Sequence, residues 1–448
     1  MTNDVQDRLT NETVELLGAL IRNQCVNDGT PESGREESSA LLLRDELEST
    51  GVDMALFETL PGRTSLVARY PGTDPTAPAL CLMGHTDVVP VSVDGWLHDP
   101  FGGELIDGEV WGRGAVDMLN LTSSMAVAFR HLITSGKRYP GDIVYFAVAD
   151  EEAGGTHGAQ VLIDSEWDAL QCEYVLTEWG GIPVTSDRGM SLLMAVAEKG
   201  IGWRRLTVSG SPGHGSAPYG TDNALIKAAE VVGRISRYQA TPQLDELWSA
   251  RVRAMGLPQD QEAALLDPGY LADALAAMPQ DQARAAHACT HTTFSPNVIH
   301  GGVKTNVIPD EVVIDVDIRT LPGESDSDVD AHLRAALGDL YDQVKVEPIQ
   351  TFPSTRSSTE TPLWDALVTS AGKTYPGATL VPSLVTGGTD SRFFRTKGAV
   401  AYGAGLLSPA VDAGEFARRF HGHNERIDVE SLRLTVGLWL DVVEHLWT

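Results

Sequence analysis

Two adjacent glutamates, Glu151 and Glu152, come directly after an apolar run at residues 143–149 and before a pair of glycines. An apolar run of this length is typical of a buried strand, and the glycines indicate the turn that follows it. Neighbouring carboxylates at a strand end repel each other, so one of them needs a cation or a proton. The pair therefore predicts a site where one glutamate binds a metal ion and the other transfers protons.

Further metal-binding side chains follow other apolar or glycine-rich stretches. His85 and Asp87 come after the apolar run 79–83, and Asp117 ends the glycine-rich stretch 112–117. Side chains in an extended chain repeat every second residue, so His85 and Asp87 are expected on the same side. The Asp87 carboxylate is then placed to orient the imidazole of His85 as a metal ligand.

Two more residues complete the candidate set. Glu178 follows a short apolar run, and His421 opens a His-Gly-His-Asn-Glu segment. Two imidazoles and three carboxylates suffice for two zinc ions that share one bridging carboxylate and leave a position for water. Glu151 stays outside this ligand set and can act as general base and then as general acid. The pattern predicts a metal-dependent hydrolase.

Charge and composition exclude several other classes of protein. The 448 residues include 62 acidic and 33 basic side chains, a formal charge of −29, which disfavours nucleic acid and anionic membrane as partners. The four scattered cysteines form no CxxC pair, which argues against a disulfide framework or a zinc knuckle. The sequence lacks a signal-peptide layout and any apolar run of about 20 residues, so we expect a soluble, cytoplasmic enzyme.

The elements that must position these residues alternate between helix and strand. Helical and strand patterns occur in turn at residues 11–22, 36–50, 65–70, 79–83, 120–135 and 143–149. This alternation predicts an α/β domain with a mixed central sheet, flanked by helices, and an active site at the carboxyl ends of its strands.

A second domain is expected to interrupt the first. From about residue 199 the pattern becomes β-α-β-β-α-β, the ferredoxin-like order, with a polar, alanine-rich helical insertion at 244–287. From about residue 352 the α/β pattern returns. We therefore expect a catalytic domain formed by residues 1–198 and 352–448 and an inserted α+β domain at 199–351.

Together the motifs resemble those of the M20 metallopeptidase family, which includes aminoacylase-1, acetylornithine deacetylase, succinyl-diaminopimelate desuccinylase, the glutamate carboxypeptidases and carnosinase-type dipeptidases. The resemblance spans nearly the whole chain in matching order, with segments at 84–90, 112–118, 150–155, 177–178 and 421–425. It implies a zinc-peptidase-like catalytic domain and an inserted ferredoxin-like lid domain through which the protein forms a homodimer.

The resemblance also implies how the metal ligands divide. One ion would take His85 and Glu178, the other would take Glu152 and His421, and Asp117 would bridge them. The cofactors would be two divalent ions, with zinc expected and cobalt or manganese as alternatives.

Further roles are implied for residues of the second domain and the last segment. His214 would stabilise the oxyanion, and Asn306 would hold the reacting carbonyl. Arg319 would pair with the substrate carboxylate, since a guanidinium binds such a group in a bidentate manner. Gly388 and Thr389 belong to a glycine-rich loop that would contact the same carboxylate.

The expected reaction is cleavage of the amide of an N-acyl amino acid, a dipeptide or a similar small carboxylate-bearing molecule. A metal-bridging water activated by Glu151 would be the nucleophile. An alternative keeps the site but changes the reaction to deamination or ureide hydrolysis, with release of ammonia or a carbamoyl group. A third is a non-catalytic metal-binding relative, against which the complete donor set and Glu151 argue. Nucleotide binding is disfavoured because no GxGxxG opens a helix after a strand.

The chain departs from the family pattern in places. Leu119 and Asn120 replace the usual Lys-Gly pair, and the 244–287 insertion lengthens the lid domain. His423 competes with His421 for the ligand position, and the spacing to the Asn-Glu pair favours His421. Four arginines are expected at the surface or at sheet edges, namely Arg204, Arg205, Arg392 and Arg395.

Overall fold

The computed structural model describes residues 2–411 and 413–448. Its helices are α1 Asn3–Arg22, α2 Glu37–Glu48, α3 Leu119–Thr134, α4 Val161–Ser165, α5 Trp167–Leu170, α6 Ala224–Arg237, α7 Glu246–Ala254, α8 Gln259–Leu265, α9 Leu271–Ala277, α10 Gln280–Thr290, α11 Asp326–Leu337, α12 Pro362–Thr374, α13 Ser391–Thr396, α14 Ala413–Arg419 and α15 Val429–His445. None of these described helices combines the length and apolarity that crossing a membrane requires.

The strands divide between one large sheet and several small ones. They are β1 Asp53–Leu60, β2 Arg63–Tyr70, β3 Leu80–His85, β4 Glu104–Ile106, β5 Glu109–Trp111, β6 Ile143–Val148, β7 Tyr174–Thr177, β8 Gly180–Ser186, β9 Gly189–Glu198, β10 Gly200–Ser209, β11 Gly213–His214, β12 Thr293–Gly301, β13 Val307–Ile308, β14 Glu311–Thr320, β15 Val344–Phe352, β16 Thr355–Arg356, β17 Thr379–Val385, β18 Val400–Gly403 and β19 Arg426–Asp428.

The large sheet has ten strands in the order β1-β2-β6-β3-β7-β18-β9-β16, with β8 and β17 also paired to β9. Strand β3 lies between β6 and β7 and runs parallel to both. Helices α1, α3, α12 and α15 share the apolar core on one face, and α4, α5 and α13 share the core on the other. Burial on both faces explains why β3 and β6 are continuous apolar runs. The predicted α/β fold class, with a mixed sheet between helices, is confirmed.

The second sheet has four strands in the order β12-β14-β10-β15, all antiparallel to their neighbours. Helices α6 and α11 cover one face and pack on Val312, Ile314 and Val316, among others. The chain order is β10-α6-β12-β14-α11-β15, which is the β-α-β-β-α-β order expected from the sequence. Strand β12 is an edge strand of this sheet, and its end residues are exposed.

The helical insertion differs from the expected extension of the second domain. Helices α7–α10 enclose a small core of their own around Trp248 and Val252. Leu247, on α7, belongs instead to the core of the large sheet, and Arg188 in the β8–β9 turn pairs with Glu262 at 2.7 Å. Helix α7 thus contacts the large sheet through Leu247 while its other apolar residues, Trp248 and Val252, lie in the core of the insertion itself.

Three of the arginines expected at the surface are buried. Arg204, Arg392 and Arg395 are each at most 5% exposed, and only Arg205 follows the expectation with 49% exposure. Arg395 lies 2.8 Å from the Glu198 carboxylate, close to where the chain leaves the large sheet. A buried guanidinium needs such a partner, and the pairing joins residues about 200 positions apart. Local sequence therefore gives no sign of it.

Candidate metal centre

The site lies at the carboxyl ends of three parallel strands. Strand β3 ends at His85, β7 is followed by Glu178, and β6 leads into the turn that holds Glu151 and Glu152. Since β3 is flanked by β6 and β7 in parallel, these ends meet at one edge of the sheet. Asp117 reaches the same place from the loop before α3.

The five predicted ligands converge there. The Asp117 carboxylate lies between the two imidazoles, with Oδ1 at 3.2 Å from His85 Nε2 and Oδ2 at 3.1 Å from His421 Nε2. Glu152 Oε2 is 3.3 Å from His421 Nε2, and Glu178 Oε2 is 3.9 Å from His85 Nε2. The carboxylate in the middle is thus Asp117, with one histidine and one glutamate on either side.

Donor atoms of two groups of residues are close enough to share a cation. In each group the ligand atoms lie within 4.8 Å of one another, and the groups are His85 with Asp117 and Glu152, and His85 with Glu151 and Glu178. Glu152 Oε1 is buried and has no hydrogen-bond partner among the described residues, which is the environment of an oxygen that binds a cation. This donor set fits divalent metal ions.

The pKa values of the two imidazoles are raised by the carboxylates around them. Hydrogen bonds from His421 to Asp117 and Glu152 raise its pKa to about 10. Burial alone would lower the pKa of His85, but the Asp117 hydrogen bond and the charge of Glu178 raise it well above its usual value. The cluster therefore holds more negative charge than its imidazoles neutralise, the condition in which cations bind.

The surroundings of Glu151, like those of Glu178, favour the protonated carboxyl group. Burial raises the pKa of Glu151 well above the usual range, and the charges of Asp390 and Glu152 add to this while His85 opposes it. Such a shift is typical of a carboxylate that takes up and releases a proton during catalysis.

Asp87 anchors both His85 and the turn with the two glutamates. His85 Nδ1 is 2.9 Å from the Asp87 backbone carbonyl and 3.6 Å from its carboxylate. The carboxylate itself accepts hydrogen bonds from the backbone amides of Glu151 and Glu152 at 3.2 and 3.0 Å. The orientation of the imidazole thus depends on the Asp87 backbone as well as on the side chain that the sequence singled out.

A buried polar chain behind Asp87 was missed by the sequence analysis. Asn27 donates its amide to the Asp87 carboxylate at 2.8 Å and accepts from Arg63 at 2.9 Å. Arg63 in turn pairs with Glu36 at 2.7 Å and lies 3.5 Å from Asp150. All of these side chains are at most 3% exposed. They are far apart in sequence and carry no motif, so spacing could not reveal them.

Glu425 holds the loop that presents Asp117. Its carboxylate accepts hydrogen bonds from the backbone amides of Val116 and Asp117 at 2.8 and 3.1 Å and pairs with Arg113 at 2.6 Å. In the sequence, Glu425 is recognisable only as the last residue of the His-Gly-His-Asn-Glu segment that begins at His421. The ring of His423 packs against Gly95, away from the cluster, which agrees with the choice of His421.

Replacing Glu425 by alanine should lower the free energy of unfolding by about 3–5 kcal/mol, because the buried Arg113 would lose its counter-charge and two amides their acceptor. Urea unfolding of the metal-free proteins measures this. Glu425→Gln should cost less, since its amide oxygen still accepts from both backbone amides. The exposed Glu360→Ala serves as the control. Equal stability of Glu425→Ala and wild type would contradict this role.

The structure places the predicted substrate-binding residues outside this cluster of ligands. His214 is exposed on a two-stranded ribbon formed by β11 and β13, where its Nδ1 is 2.7 Å from Ser216 Oγ. Asn306 lies beside it and accepts from the Gly215 amide at 2.9 Å. Among the described residues, no hydrogen bond or ion pair joins His214 to the metal cluster.

Arg319 and Thr389 already have partners in the protein. Arg319 Nε donates to Asp317 at 2.7 Å, and its guanidinium lies 5.5 Å from the centre of the Trp203 ring. Thr389 is buried and its backbone amide donates to Glu198. A Cβ atom at Gly388, next to Thr389, would lie only 3.1 Å from Arg392 Nη1.

A family model and individual known proteins both match this chain over most of its length. The model of the family described as Peptidase family M20/M25/M40 matches residues 81–445. Aminoacylase-1 from Mus musculus is 27% identical over 428 residues, which cover 94% of this chain and 92% of that protein. A probable carboxypeptidase S-like 2 from Dictyostelium discoideum is 27% identical over 397 residues, which cover 85% of this chain and 74% of that protein.

Solved structures show the same fold. The M20 family metallo-carboxypeptidase Sso-CP2 from Sulfolobus solfataricus has a TM-score of 0.73 at 18% identity, with 97% of this chain and 99% of that chain covered. The di-peptidase Dug1p from Saccharomyces cerevisiae has a TM-score of 0.70 at 16% identity, with 98% and 97% covered. At these identities the likeness is one of fold.

Proposed function

The chain belongs to peptidase family M20/M25/M40 and is a metal-dependent hydrolase of amide C–N bonds, and we propose that it is a dinuclear zinc amidohydrolase. Its substrate would be an N-acyl amino acid, a dipeptide or a similar small molecule with a free carboxylate. The observation that carries the proposal is the position of the Asp117 carboxylate between the imidazoles of His85 and His421.

The residues would hold two ions, one with His85 and Glu178 and the other with Glu152 and His421, and Asp117 would contact both. Bound divalent ions supply Lewis-acid polarisation of the scissile carbonyl and make a water molecule more acidic. Cobalt or manganese suits the same oxygen and nitrogen donors as zinc.

Glu151 is the proposed proton carrier. Its carboxylate takes a proton from the attacking water and returns it to the nitrogen of the departing amine. The hydrogen bonds from the amides of Glu151 and Glu152 to Asp87 keep the backbone of this turn in place during both transfers. The Glu151 side chain thus moves a proton within a fixed backbone.

The second domain is proposed to complete the substrate site. His214 would donate to the developing oxyanion and Asn306 to the reacting carbonyl, both from the β11–β13 ribbon. Arg319, which donates to Asp317 through Nε and Nη2, would bind the substrate carboxylate. This requires the lid domain to close over the metal centre, as binding domains of hydrolases commonly do.

A substrate panel tests the proposed reaction. We expect the zinc-loaded protein to release a free amino acid from N-acyl amino acids or dipeptides, with a loss of at least about tenfold when the substrate carboxylate is amidated. The freed amine is measured together with ammonia. Release of ammonia or a carbamoyl group instead would favour the deaminase or ureide hydrolase alternative. Absence of turnover with every class of substrate would favour the third alternative, a non-catalytic metal-binding relative.

A homodimer through the lid domain is proposed from its exposed apolar surface. Leu225 and Ile226 on α6 are 47% and 71% exposed, and Val298 and Ile299 on the edge strand β12 are 42% and 51% exposed. An unpaired edge strand beside apolar side chains is suited to docking a second copy. Sedimentation velocity tests this, since Ile226→Asp should give monomers whereas Val368→Asp on the catalytic domain should not. A monomeric wild type would contradict it.

A further inference from the structure

Two aromatic rings join the loops that carry ligands of the two metal positions. Trp179 directly follows Glu178, and Phe420 directly precedes His421. Their rings are stacked, with centroids 4.3 Å apart and an angle of 16° between the planes. Phe416 meets Phe420 edge to face at 5.3 Å and extends the contact into α14.

The backbone at both loops adopts a conformation that needs support. Trp179 has φ of 70° and His421 has φ of 55°, in the left-handed region that side chains other than glycine rarely occupy. Such residues persist where their surroundings fix them. For Trp179 the stacked partner is Phe420, which belongs to the other loop.

The support matters most for His421. Its side chain is 54% exposed, whereas that of His85 is 1% exposed and is held by Asp87 from behind. Arg113 Nη2 donates to the His421 carbonyl at 3.4 Å, and Glu425 fixes Arg113. These contacts hold the loop downstream of the imidazole, and the stack holds it upstream.

We propose that Trp179 and Phe420 are a positioning pair that links the two metal positions, so that the His421 position is set by the loop that carries Glu178. The inference rests on the two-ion assignment of the proposed function. The pair would act through the two loops that carry Glu178 and His421. Its loss would weaken binding at the exposed position, formed with His421 and Glu152, and spare the buried position.

Metal titration of the full chain tests this inference without assaying activity. The metal-free protein is titrated with Co²⁺ against a competing chelator, and binding is followed by visible absorption and by metal content per chain. Wild type should bind two equivalents. In Trp179→Leu and in Phe420→Leu, the dissociation constant of the weaker equivalent should rise about tenfold, and that of the tighter one should stay within about twofold, as expected for loss of one aromatic pair.

Three further variants exclude a merely structural effect. Trp179→Phe keeps a ring to stack and should restore wild-type binding. The double variant Trp179→Leu with Phe420→Leu should be no weaker than either single one, because both remove the same contact. Trp447→Ala removes a ring that packs on Tyr139 at 6.1 Å and should leave both constants unchanged.

The outcomes separate the two proposals. Wild type with two equivalents and Leu variants with unchanged constants would overturn the positioning role and leave the dinuclear enzyme standing. Wild type with fewer than two equivalents would overturn the two-ion assignment, and the positioning role with it.

Discussion

Glu151→Gln should lower kcat by about 10²- to 10⁴-fold, the range that general acid–base catalysis typically contributes. Glutamine has nearly the same shape and leaves the amides that bind Asp87 in place, but it cannot accept a proton from water. Metal content should stay at the wild-type value because Glu151 lies outside the proposed ligand set. The measurements are steady-state kinetics on a cleaved panel substrate and metal analysis of the same samples.

The neighbouring residue provides the matched control for this prediction. Glu152→Gln changes the same functional group one position along the chain, yet it should reduce metal content, since Glu152 Oε2 lies 3.3 Å from His421 Nε2. Loss of turnover with full metal content in Glu151→Gln, together with loss of metal in Glu152→Gln, would identify Glu151 as the proton carrier. Glu151→Gln with more than a tenth of wild-type kcat would remove that role from Glu151.

Asp117→Ala is expected to have the largest effect on metal binding. Each of its carboxylate oxygens contacts one imidazole, at 3.2 and 3.1 Å, so its loss takes a ligand from both positions. We expect less than one equivalent of metal per chain after dialysis and loss of most of the turnover, since the ions supply the Lewis-acid chemistry. Elemental analysis and kinetics measure the two effects.

Asparagine at the same position refines the test. Asp117→Asn keeps one oxygen, which suits one ion, so about one equivalent should remain. Asp315→Asn, in the exposed pair with Arg205, serves as the control and should bind two. If Asp117→Ala still bound two equivalents, the bridging position of Asp117 would be wrong.

The convergence of the candidate ligands could be predicted from sequence because each belongs to a recognisable local pattern. His85, Glu152 and Glu178 come directly after apolar runs, and such runs predict the buried parallel strands β3, β6 and β7. The carboxyl ends of parallel strands lie at the same edge of a sheet. Polar residues that follow apolar runs are therefore expected to lie close together at that edge. This is why the cluster was predictable at residue level.

Other features depend on contacts that no local pattern records. Asn27 meets Asp87 from 60 positions upstream, and Glu425 meets Val116 across 309 positions. The insertion was expected to lengthen the lid because it lies between lid elements in sequence, yet Leu247 packs with the large sheet. Arginines such as Arg395 look like surface charges until their buried carboxylate partners are known.

The polar chain behind Asp87 has a consequence for how the protein can be shortened. The family match begins at residue 81, and a fragment starting there would contain every proposed ligand and the proton carrier. It would lack Asn27 and Arg63, so Asp87 would lose its amide donor and Asp150 its guanidinium neighbour. The smallest piece able to assemble this centre is therefore set by tertiary contacts of the first eighty residues, and a boundary drawn at the first motif would cut through it.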